Sequence, residues 1–139
     1  MAQTEDLGVL SYSPLGGGLL TGKYGVDRRP DKGRLVENPM YQTRYGEDLH
    51  YEVAERFTAF AEEHGYDPVS LAVAWVAHHP AVTAPIIGGR TVRQLEGSLG
   101  ALEIDMTPDL REAISDLSPT PPPATDRTEE RTEHTYGNR

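Results

Sequence analysis

The chain contains no cysteine, which removes disulfides and thiolate metal sites from consideration. Lysine is nearly absent: Lys23 and Lys32 stand against eleven arginines. No apolar run reaches the roughly 18 residues that suggest a membrane span. The opening residues, MAQTEDLG, are neither basic nor apolar, so no secretory leader is read there. Basic charge is scarce overall, and the formal net charge of −9 argues against nucleic acid or an anionic membrane as partner. These absences together imply a soluble, cytoplasmic protein.

What is present is enough for one domain. Of the 139 residues, the last stretch opens PTPPPATDRTEERTEH and carries no apolar side chain that would offset the entropy of ordering it. A folded part over residues 1–118 and a disordered polar tail over 119–139 are therefore expected.

The folded part divides by periodicity. Leu7 to Tyr12 (LGVLSY) and Val82 to Ile87 are short apolar runs that read as buried strands. Between them, residues 16 to 46 are rich in Gly, Pro, Asp, Asn and Arg and read as a long loop. Leu49, Val53, Phe57 and Phe60 then recur at helical spacing, with Gly65 as a stop. Asp67-Pro68 supplies an N-cap and first-turn proline for a mostly buried helix, LAVAWVAHH, which stops before Pro80. Val92, Leu95, Leu99 and Leu102 mark another helix, running to about Glu103. Thr107-Pro108 caps the last one, with Leu110, Ile114 and Leu117 inside. Two strands joined by helices predict a parallel crossover in an α/β fold.

The chemistry is concentrated in SYSPLGGGLLTGKYG, residues 11–25. Gly17-x₄-Gly22-Lys23 nearly matches a P-loop, but Tyr24 stands where the Mg²⁺-binding Ser or Thr belongs. A dinucleotide fingerprint fails too, because Thr21 replaces its third glycine. Adjacent His78 and His79 point about 100° apart on a helix, so no metal site is read from them.

Two segments in order carry a resemblance. SYSPLGGGLLTGKYG is similar to the loop after the seventh strand of the aldo-keto reductase superfamily, and PIIGGRTVRQLEGSLGALEIDMT resembles its eighth strand and following helix. The likeness covers roughly Leu7 to Pro119. It implies part of a (β/α)₈ TIM barrel: two parallel strands with following helices, the N-terminal six βα units being absent. It also implies NADP as cofactor, a nicotinamide dinucleotide held at the C-terminal ends of the strands.

Residue by residue, the resemblance makes Tyr12 the aromatic that stacks on the nicotinamide. Ser13, Pro14, Leu15, Gly16 and Gly17 become the loop along the pyrophosphate, where glycine lets backbone amides approach closely. Lys23 adds charge near the phosphates. Gly88 ends the second strand at a helix N-terminus suited to phosphate, and Arg90 reads the 2′-phosphate with its planar fork. Gln94 and Ser98, on one helix face with Arg90, match positions that contact the adenosine, whereas Leu95 and Leu99 serve packing. The family commonly has Glu-Asn where this chain has Gly97-Ser98, so weaker adenosine binding is expected.

Family members transfer hydride from NADPH to a carbonyl, with a tyrosine as general acid, a lysine and aspartate that tune it, and a substrate-orienting histidine. Those four come from earlier strands, and no residue of this chain takes their place. The implied function is a cofactor-binding fragment of an NADP-dependent carbonyl/alcohol oxidoreductase, inactive alone: either a truncated product or the C-terminal half of a split enzyme, completed by a separate chain that supplies the N-terminal barrel half. The alternative is a non-catalytic NADP-binding regulatory or interaction module.

The acidic, lysine-poor composition suits a high-salt cytoplasm, and a GC-rich genome gives the same arginine bias. Salt-adapted acidity has one expected outcome: the far-UV circular dichroism of the folded chain collapses in low salt. A signal indifferent to salt assigns the bias to the genome instead.

Overall fold

The computed structural model describes residues 1–120, so the expected polar tail lies outside them except for Pro119 and Thr120. Strand β1 (Leu10–Tyr12) and strand β2 (Ala84–Ile86) pair in parallel, with Leu10 opposite Ala84, Ser11 opposite Pro85 and Tyr12 opposite Ile86. A 3₁₀ turn at Gly16–Gly18 and helices α1 (Arg34–Glu37), α2 (Pro39–Tyr45), α3 (Asp48–Glu63) and α4 (Pro68–Ala77) lie between the strands. Helix α5 (Val92–Leu99), a 3₁₀ turn (Gly100–Glu103) and α6 (Pro108–Ser115) follow β2. The expected α/β order with parallel strands is present.

Local chemistry sets the helix ends. Asp67 accepts from the Ser70 amide at 2.9 Å, with Pro68 in the first turn of α4. Thr107 caps α6 in the same way, its Oγ1 accepting from Leu110 at 3.2 Å. Each such cap satisfies a donor that the helix itself leaves open, typically contributing about 1 kcal/mol.

The long loop expected over residues 16–46 is more structured than its composition suggests. Asn38 caps α2, accepting from Met40 at 3.0 Å, and Pro39 opens that helix. Leu35 of α1 is buried with Leu19, Tyr24, Tyr51 and Ala54, and the loop thereby has a small core of its own. The larger core gathers Phe57 and Ala61 from α3, Leu71 to Ala74 from α4, then Ala101, Ile104, Met106 and Ile114. Leu110 and Leu117 pack against it, as the inner face of α6 requires.

Helix α3 therefore serves two cores, and its buried face differs from the one read in sequence. Tyr51, Ala54, Phe57, Thr58 and Ala61 are buried, while Leu49 is exposed. The physical reason is that the loop core draws in a face centred on Tyr51 and Ala54, away from Leu49.

The strands also depart from expectation, since they are not buried. Leu10 and Tyr12 are 65% and 64% exposed, and Ile86 is 55% exposed. Alternation along a strand sends these three to one face. Two strands have helices on the other face and nothing described to cover this one. The expected packing role of Leu95 and Leu99 fails likewise. Both are exposed with Val92 and Leu102, because α5 turns Ser98, not its leucines, inward.

Among the described residues, no helix is long and apolar enough to cross a membrane. Truncating Leu71, which has no exposed surface, should lower unfolding free energy in urea by about 2–5 kcal/mol. The same change at exposed Leu102 should stay within about 0.5 kcal/mol.

Candidate functional site

The parallel register determines which residues share an end of the sheet. Tyr12 opposes Ile86, so the chain leaves both strands at the same edge, with Ser13 and Ile87 the next residues out. Paired strands lie about 4.8 Å apart. The Ser13–Gly17 loop and the Gly88–Arg90 turn thus start side by side at the C-terminal ends of the two strands.

The loop after β1 is held in an unusual backbone conformation. Ser13 has φ +58°, rare for a residue with a side chain, and Gly16 and Gly17 follow at +56° and +70°. The Gly16 amide donates to the Ser13 carbonyl at 2.9 Å, and that of Gly18 to Leu15 at 3.0 Å. Among the described residues, the amides of Leu15 and Gly17 donate to no protein acceptor. Gly18 continues the run of positive φ at +106°, and backbone amides gathered in a turn conformation can line an anion-binding concavity. The side chain of Leu15 packs on the main core with Ile87, which anchors both loops to one body.

The second loop opens a helix. Thr91 caps α5, its Oγ1 accepting from Gln94 at 3.3 Å, and the first turn contains no acidic residue. The helix N-terminus therefore keeps its positive potential. Gly88 faces open space, and Arg90 is exposed with its amide donating to Gln94 Oε1 at 2.8 Å. Gln94 thus fixes the Arg90 backbone with its own carboxamide oxygen. Ser98 is buried, and its hydroxyl donates to the Gln94 carbonyl at 3.4 Å, so it offers the surface nothing. Spacing places Gln94 and Ser98 near one another but does not show which way their face turns.

Lys23 is exposed, its ammonium 6.0 Å from the Tyr24 ring centroid. The preceding residue, Gly22, lies against Pro68 and Thr58, which attaches this segment to α3 and α4. Pro14 is half-buried between Ser13 and Leu15. His78 Nδ1 lies 2.9 Å from its own helix carbonyl at Ala74, and no metal-binding group of three side chains occurs among the described residues.

Sequence reasoning missed the residues that cover the glycine turn. Tyr41 and Tyr45 of α2 stack with ring centroids 6.2 Å apart. Arg34 reaches over Tyr41, its guanidinium 5.7 Å from the ring centroid and its Nη1 donating to the hydroxyl at 3.5 Å. Burial raises the Tyr45 phenol above its ordinary pKa, opposed by Arg44 and reinforced by Tyr41 and Tyr12. Tyr45 therefore stays protonated at neutral pH. Asn38-Pro39, an N-cap followed by a first-turn proline, was the signal for this helix, and the two tyrosines four residues apart mark its face.

Residues 1–118 match the Aldo/keto reductase family. The chain belongs to that family. This aldo/keto reductase chain is 37% identical over 123 residues to an uncharacterised oxidoreductase of Bacillus subtilis, YrpG, covering 86% of this chain and 35% of that protein. A probable aldo-keto reductase of Glycine max is 34% identical over 107 residues, covering 76% of this chain and 31% of the relative. Among solved structures, the glycerol dehydrogenase AKR11B4 from Gluconobacter oxydans superposes with a TM-score of 0.64 at 26% identity. That likeness covers 91% of this chain and 40% of the other. The chain spans about a third of the length of the curated relatives it matches.

The turn itself is open to a direct test. Ala at Gly17 must adopt a left-handed backbone and place Cβ 2.6 Å from Tyr41 Cδ1. Gly17→Ala should therefore lower stability by about 1–2 kcal/mol in urea. Gly88→Ala, with open space around it, should change stability by less than about 0.5 kcal/mol.

Proposed function

We propose that this chain is the dinucleotide-holding part of an NADP(H)-dependent carbonyl/alcohol oxidoreductase, working in the cytoplasm. The observation that carries the reading is the register of β1 and β2, which starts two anion-competent loops at one end of the sheet. A parallel barrel uses that end for its site, commonly with phosphate bound after the seventh and eighth strands.

The residues present fit a dinucleotide. The amides of Leu15 and Gly17, without protein acceptors in a turn of positive φ, suit a pyrophosphate. Ser13 and Pro14 set the path from strand to turn. Gly88 leaves room for close approach of a phosphate, and Gly16 supplies a positive φ that the first loop requires. Arg90 beside the acid-free first turn of α5 suits a further phosphate, the one that distinguishes NADP from NAD. Exposed Tyr12 presents a ring at the sheet edge on which a nicotinamide stacks. Gln94 acts by holding the Arg90 backbone, and Ser98 by fixing the helix behind it. Lys23 contributes long-range positive charge in an otherwise acidic molecule.

The bound cofactor supplies a hydride to a carbonyl. The chain's own residues bind and orient it, and none of them is assigned as the proton donor. The aspartate, tyrosine, lysine and histidine that the family resemblance calls for belong to earlier βα units. We assign those units to further polypeptide, of which a separate partner chain is one form. The exposed apolar face of Leu10, Tyr12 and Ile86 is consistent with more strands packing there.

A fluorescence titration tests the reading. Wild-type chain should bind NADPH saturably, and Arg90→Ala should weaken NADPH by about ten- to a hundredfold, the range of a charge-assisted contact. NADH, without the 2′-phosphate, should bind both proteins alike. Equal loss for both nucleotides would remove Arg90 from its role, and no binding by the wild type would remove the reading.

A further inference from the structure

We infer that Tyr41 is a positioning residue for the pyrophosphate turn, a part of the proposed cofactor site that neither charge nor glycine content explains. The inference rests on that functional reading. The turn's own hydrogen bonds hold the amides of Gly16 and Gly18 but not that of Gly17. Three positive φ values in five residues, at Ser13, Gly16 and Gly17, describe a backbone that unconstrained glycines leave readily. At Gly17 the added restriction comes from outside the turn.

The restraint is the ring of Tyr41. It lies so close to Gly17 that a methyl group added to that Cα would fall 2.6 Å from both Cδ1 and Cε1, so the ring is seated on bare backbone. Buried Leu35 flanks the same spot, its Cδ1 3.5 Å from that Cβ position. Tyr45 approaches Gly16 in the same manner, at 3.9 Å from the corresponding point. The ring in turn is held on two sides, stacked on Tyr45 and capped by the Arg34 guanidinium. Helix α2, with its Asn38 cap and first-turn Pro39, fixes where both tyrosines stand.

The consequence concerns the direction of two amides. Gly17 N–H and Leu15 N–H remain free because the turn keeps its left-handed form, in which the neighbouring amides close inward on Ser13 and Leu15. Removing the ring frees Gly17 to leave that form, and the two unbonded donors then shift relative to each other. Tyr41 need not touch the ligand, since it acts through the backbone it covers. The ring performs this work and the hydroxyl does not, so phenylalanine should replace it.

The test pairs two ligands with three proteins, using the full chain. NADPH engages the turn, whereas adenosine 2′-monophosphate lacks the pyrophosphate and engages only the α5 end. Tyr41→Ala should weaken NADPH about tenfold, equivalent to losing one or two hydrogen bonds, while leaving adenosine 2′-monophosphate within about twofold of wild type. Tyr41→Phe should bind both as wild type does. Unchanged NADPH affinity in Tyr41→Ala overturns the inference while the proposed function stands. Parallel loss of both ligands, or failure of Tyr41→Phe to restore binding, assigns Tyr41 a merely structural or direct role and overturns it too. Absence of NADPH binding by wild type overturns the functional reading first, and this inference with it.

Discussion

Pairing between two strands of three residues each is the constraint on which the candidate site depends. Because the ladder is parallel, the loops after both strands leave from one edge, and an antiparallel pairing would have sent them to opposite ends. Every later feature elaborates that fact. The loop that carries Gly16–Gly18 and the turn that leads to Arg90 and α5 start from neighbouring strand ends. Leu15 and Ile87 then lock both loops to one hydrophobic body.

Much of this was legible in the residues. The caps at Asp67 and Thr107 were readable because capping depends on a few neighbouring atoms, and the structure has both hydrogen bonds. The strands and their parallel course were readable from short apolar runs separated by helices. Burial of those strands was not readable, because hydrophobic composition reports what a segment can bury and not what is there to cover it. Leu10 and Ile86 illustrate this, as do Leu95 and Leu99 on α5.

The candidate site was legible unevenly. The glycine turn and Arg90 announce themselves by residue type. The inward rotation of Ser98 did not, since spacing on a helix fixes relative angles and leaves the absolute orientation to tertiary packing. Tyr41 and Tyr45 were hidden in a segment whose Gly, Pro and Asn content reads as irregular. That same content includes Asn38 and Pro39, the start of the helix that carries both rings. A breaker-rich sequence is therefore compatible with ordered structure wherever the breakers occupy cap positions.

The two halves of helix α3 answer to different neighbours. Tyr51 and Ala54 belong to the cluster beneath the glycine turn, and Phe57 and Ala61 to the cluster with α4. The smaller cluster rests on few side chains and encloses a segment of turns and short helices. Such a region opens more cheaply than the global fold does. The glycine turn thereby rests on the smaller of the two clusters, so the restraint that Tyr41 and Leu35 place on it gives way before the α4–α6 scaffold does.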